Sequence, residues 1–143
     1  MKALRALTRM LRCQQGTAAI EFAFVVGPLM LLIFGSIEVS RLVWVRNALH
    51  ESAISGARCM GIRAADCVAS DSVNPEKTKT YIRNVARSWG LSVAATGIDL
   101  DVMSGCDEPA GFSGVVINYQ FKSVLTLLTG PWLTFEACFP NQD

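Results

Sequence analysis

The residues with chemistry to offer are one histidine, two close acidic pairs, five cysteines and a glutamate inside an apolar run. His50 sits alone in an amphipathic stretch with no nucleophile or acid at motif spacing, so it reads as a surface or packing side chain. Asp99 and Asp101 are two apart and would share one face of a strand. A hydrolase built on paired carboxylates needs them in a cleft within reach of a proton, whereas their alternation with Ile98, Leu100 and Val102 reads as the wet face of a half-buried strand. Asp107-Glu108 lacks the loop spacing of oxygen ligands for calcium. No G-x-S-x-G, H-E-x-x-H or phosphate-loop pattern occurs. The chain is not expected to be an enzyme, nor to take a cofactor, a metal, a nucleic acid or a small-molecule substrate.

Glu21 is different, because of where it stands. Residues 16–37, GTAAIEFAFVVGPLMLLIFGSI, contain no other ionisable side chain, and Phe22 to Ile37 contain none. A helix rises about 1.5 Å per residue, and a bilayer core about 30 Å thick takes about 20 apolar residues. Thr17–Ile37 meets that length only with Glu21 inside it. A carboxylate there costs about 3 kcal/mol on insertion scales and calls for a partner or for water at the interface.

The charge pattern orients the span. Lys2, Arg5, Arg9 and Arg12 precede Gly16 without any acid among them, while the remainder holds nine basic residues against twelve acidic, a net charge of about −3. An N-terminal cluster of positive charge before an apolar segment places that end in the cytoplasm. A cleavable secretory signal is the competing account, but its apolar segment is about 7–15 residues long and this one is longer and contains Glu21. The part after the span is then expected outside the cytoplasm, where disulfides persist. Cys13 belongs to the leader, leaving Cys59, Cys67, Cys106 and Cys138, which allow three pairings. We favour Cys59–Cys67, closing a short loop at a helix end, with Cys106–Cys138 joining distant segments. Zinc is the rival, but no C-x-x-C or paired histidine supports it.

These residues must be carried by a small number of elements. Residues 17–63 read as one helix of about 70 Å. Pro28 removes a backbone donor and is expected to kink the helix, while Gly27 and Gly35 are points where another helix could approach. Past Ile37 the pattern turns amphipathic, with Leu42, Val45, Leu49, Ala53, Gly56 and Met60 on one face. Residues 64–75 read as a loop. Pro75 opens a second helix with Tyr81, Ile82, Val85, Ala86 and Trp89 on its apolar face and a stop at Gly90. Three alternating or apolar stretches follow: Ile98–Val102, Val115–Phe121 and Leu133–Phe139, with a further apolar stretch at Val124–Leu128. The expected organisation is a leader at 1–16, a transmembrane helix at 17–37, its amphipathic extension at 38–63 and an α+β domain with an antiparallel sheet at 64–143.

The arrangement of Gly16, Thr17, Glu21 and Phe22 behind a basic leader resembles the processing site of type IV pilin-like proteins. The segment Asn47-Ala48-Leu49 through Ala53 to Gly56-Ala57-Arg58 looks like the small-residue helix of TadE-like pseudopilins of the tight-adherence (Flp) pilus system. The position of Pro28, twelfth after Gly16, also favours that group over the larger pilins. The resemblance implies cleavage between Gly16 and Thr17 by a prepilin peptidase, with Glu21 meeting the new N-terminal amine of a neighbouring subunit. It further implies other pilins and an inner-membrane assembly platform as partners, in a bacterial inner membrane with the C-terminal domain periplasmic. The alternatives are an uncleaved, membrane-anchored binding module of the cell envelope, and a secreted enzyme cut near Gly35-Ser36.

Overall fold

The structure is a computed structural model that describes residues 17–70, 72–101, 111–123 and 130–142. The basic leader with Cys13 and Gly16, the turn carrying Cys106 and Asp107-Glu108, and the apolar stretch Val124–Leu128 lie outside the described residues. The order of elements is helix α1 (Thr17–Gly61), strands β1 (Val68–Ala69) and β2 (Ser72–Val73), helix α2 (Pro75–Ser88), a 3-10 turn at Ala95–Gly97, and strands β3 (Ile98–Asp101), β4 (Phe112–Gln120) and β5 (Trp132–Pro140). This is the α+β arrangement of a long apolar helix, a second helix and antiparallel sheets. It divides into two compact units, the first ending at Val39 and the second Ser40–Asp143.

In the second unit, α1 buries the stripe that its sequence spacing defines: Val45, Leu49, Ala53, Ala57 and Met60 belong to one core cluster with Ile82 and Ala86 of α2 and Ile98, Val115, Ile117 and Ala137 of the sheet. Small residues on α1 let the two helices come close. A Cβ added at Gly56 would stand 2.5 Å from Cγ1 of Ile82, itself fully buried, and 3.4 Å from Val115.

The second helix is bounded by local chemistry. Asn74 caps its start, the side-chain oxygen accepting from the Lys77 amide at 3.1 Å, and Pro75 occupies the first turn, where its missing N–H costs nothing. At the other end the amides of Gly90 and Leu91 donate to the carbonyls of Arg87 and Ala86, a Schellman closure with Gly90 at φ +79°. The same closure ends α1. Arg63 and Ala64 donate to Met60 and Cys59, with Arg63 at φ +51°, so the helix stops at Gly61 rather than at 63 as the apolar spacing suggested.

The three longer strands form an antiparallel sheet in the order β3-β4-β5, pairing Ile98 with Ile117, and Val115 with both Leu100 and Ala137. Because side chains alternate between the faces of a strand, this register puts every one of those residues on the helix-covered face. The other face carries polar side chains, with Thr134 donating to Asn118 at 2.8 Å. Residues 64–75 are not simply a loop. Val68 and Ala69 pair with Val73 and Ser72, and strands of two residues are too short to show alternation in the sequence. A Cys59–Cys67 disulfide ties this hairpin to the end of α1. Cys138 is also disulfide-bonded; its expected partner, Cys106, lies outside the described residues.

Two stability outcomes follow. Gly56→Val should destabilise the second unit by about 2 kcal/mol, since overpacking a filled core typically costs about 1–3 kcal/mol; Gly56→Ala is the weaker test because alanine gains about 1 kcal/mol in helix propensity. Urea unfolding of the full chain in detergent measures both. Cys59→Ser with Cys67→Ser should cost about 2.5 kcal/mol in the same experiment, the loop-closure entropy of a short cross-link.

Candidate membrane span and assembly segment

The first unit presents one helical segment, and its side chains are exposed on every side. Twelve large apolar side chains between Ile20 and Val39 are 42–76% accessible. Residues 29–34, LMLLIF, are all exposed at six consecutive positions, which at 3.6 residues per turn cover more than the full circumference. A helix apolar all round is a buried or membrane helix rather than a surface one. Each such side chain gains about 1.5–3 kcal/mol when removed from water, so twelve represent on the order of 20–30 kcal/mol of unmet burial. The helix is long and apolar enough to cross a membrane, and among the described residues none buries its most apolar window.

Polar groups in this segment are few and arranged accordingly. The Ser36 hydroxyl donates to the Ile33 carbonyl at 2.9 Å, which satisfies it within its own helix. Pro28 lies inside α1, and the helix is unbroken on both sides of it. A Cβ added at Gly27 or Gly35 would meet nothing within 4 Å, so packing within the chain requires neither glycine. Glu21 is exposed, on the second turn of α1, and among the described residues no hydrogen bond or ion pair reaches its carboxylate. Phe22 beside it is 68% accessible. Thr17, the first of the described residues, is already helical.

The other candidate groups are not brought together. His50 is exposed on α1 and stands edge-on to Phe135 at 6.5 Å, lining a cavity of about 290 Å³ with Val43, Arg46 and Asn47. An open groove of about 430 Å³ beside α2 is lined by Asp66, Glu76, Lys77, Thr80 and Tyr81 among others. Asp99 is exposed and accepts from Asn118 at 3.5 Å. Among the described residues no three His, Cys, Asp or Glu side chains are placed to hold a metal ion.

One test of the span is a charge placed near its centre. Leu29→Arg should disfavour insertion by about 3 kcal/mol, about 100-fold in the inserted-to-excluded ratio. Ile54→Arg, on the exposed side of the same helix in the second unit, should leave it unchanged. Resistance to alkaline extraction from membranes measures both.

Residues 16–58 match the family model described as TadE-like protein. The matched stretch opens at Gly16, contains Glu21 and the whole apolar run, and closes near the end of α1. Neither a curated protein nor a solved structure matches the chain.

Proposed function

We propose that this chain is a minor pilin-like subunit, a pseudopilin, that takes part in assembling a tight-adherence pilus or a related secretion apparatus. The observation that carries the reading is Glu21, the one carboxylate in the apolar stretch Thr17–Ile37 of α1, five residues after Gly16 and within a segment matching TadE-like proteins. The precursor inserts with its basic leader in the cytoplasm and the Ser40–Asp143 unit outside. A prepilin peptidase, working at the membrane, hydrolyses the Gly16–Thr17 bond and leaves a new amine on Thr17. That cation and Glu21 of a neighbouring subunit neutralise each other within an apolar surround, where either alone would be costly.

The span then exchanges lipid for a bundle of like helices. Lipid tails are as apolar as leucine, so this exchange yields little hydrophobic gain; close packing and the charge pair must drive it. Gly27 and Gly35, which no part of the chain covers, supply open backbone for that approach. Pro28 sets a kink between the charged start of the helix and its later turns. The TadE-like match points to a structural component. The membrane, the peptidase, other pilins and an assembly platform are its partners.

The test is intact mass and N-terminal sequencing of the protein from native membranes, compared with two variants. The wild-type chain should begin at Thr17, and Gly16→Ala should keep its leader. Glu21→Ala should still be cleaved yet be depleted from the filament fraction at least about 100-fold, since breaking a buried pair costs about 3–5 kcal/mol. A wild-type chain that retains its leader would instead identify an uncleaved envelope anchor.

A further inference from the structure

The chain has three tryptophans, and all of them lie at one end of the second unit. Trp44 stands edge-on to Trp89 with ring centroids 5.5 Å apart, its indole N–H donating to the Trp89 carbonyl at 3.2 Å, so the first turns of α1 in this unit meet the end of α2. Arg41, one turn earlier, lies over the Phe121 ring at 5.6 Å and donates to the Lys122 carbonyl at 3.4 Å, which brings in the end of β4. The Phe121 amide donates to Pro131, and Trp132 pairs with Gln120, which adds the start of β5. The opposite end holds Gly61, Gly111 and Gln142, with Gln142 donating to Gly61 at 2.8 Å.

These tryptophans do not serve the core. Trp44, Trp89 and Trp132 are 55%, 36% and 70% accessible, with Trp132 on the sheet face away from the helices. The segments meeting here, 40–44, 87–91, 119–123 and 130–133, contain Arg41, Arg87 and Lys122 and no acidic residue, and Glu38 is the one acid between Ile37 and Arg41. Tryptophan collects where hydrocarbon gives way to headgroups, because its ring is apolar and its edge is polar, and lysine and arginine near a membrane surface are drawn to anionic lipid. Arg41 and Trp44 follow Ile37 by four and seven residues, a length of chain that spans about 6 and 10 Å when helical. The polar layer on each side of a bilayer core is about 5–8 Å deep, so an upright helix puts Arg41 within it and Trp44 just beyond it, and a tilt of up to about 40° brings Trp44 about 2 Å closer, to its outer edge.

We propose that this end of the second unit is a lipid-contact surface. Trp44, Trp89 and Trp132 lodge in the headgroup layer of the membrane that α1 crosses, and Arg41 and Lys122 face the phosphates of anionic phospholipid. The proposal rests on the reading of Thr17–Ile37 as a membrane span. It adds a role for the second unit before assembly, contact with anionic lipid.

The test reconstitutes the full chain in vesicles of phosphatidylethanolamine and phosphatidylglycerol carrying a nitroxide either on the headgroup or at mid-chain. Insertion is checked by alkaline extraction, and tryptophan emission is read for wild type and for chains keeping one tryptophan, the others changed to Phe. Headgroup nitroxide should quench each tryptophan at least about twofold more than mid-chain nitroxide or aqueous iodide. Should the substituted chains fail to fold, wild-type emission reports the three rings together. An inserted chain quenched by iodide and not by lipid overturns the proposal and leaves the span intact. Shielding from both quenchers overturns it in favour of contact with a second copy. A chain that does not insert overturns the span reading as well.

Discussion

The constraint on which everything else depends is that one helix must satisfy two different solvents. Up to Ile37 its surface is apolar but for Glu21, and no described part of the chain covers it; from Ser40 its apolar residues narrow to a stripe that α2 and the sheet bury. The change follows directly from composition. Six consecutive apolar residues at 29–34 leave no polar face for water, whereas Arg46, Glu51 and Arg58 interrupt the later turns and restore one. A lone carboxylate in the first regime and a closely packed glycine in the second each acquire meaning only from that surround. Glu21 is costly because its neighbours are apolar, and Gly56 is needed because Ile82 stands against it.

Much of this was legible in the residues because it rests on local rules. Asn74-Pro75 and Gly90 mark the limits of α2 through capping and a left-handed closure, and the structure uses both. The alternation in Val115, Ile117 and Tyr119 is a property of the pleat, so the strand could be read without knowing its partners. The segment from Gly16 to Arg58 was readable for another reason: its order of glycine, carboxylate and apolar run resembles a TadE-like segment, and the family match covers that stretch.

What escaped the sequence depends on distant pairing. The hairpin of β1 and β2 has two residues per strand and no period to detect. Trp89 reads as part of the buried face of α2 by spacing, but the helix ends beside it and its ring turns to Trp44 and solvent. The grouping of three tryptophans required knowing that the end of α2 and the end of β4 meet the same turns of α1, and that the start of β5 pairs with the end of β4. No local signal encodes that. Gly61 is similar: its lack of a side chain matters because Phe139 and the Pro140 carbonyl lie 2.6 and 2.9 Å from where a Cβ would stand.

The Cys59–Cys67 bond makes this part of the fold sensitive to the redox state of its surroundings. Both sulfurs are buried, and the bond spans the point where α1 stops and the hairpin begins. Disulfides form and persist on the oxidising side of a membrane and are lost on the reducing side. The tie between the end of α1 and the hairpin, and the stability it adds, therefore hold only where the surroundings are oxidising.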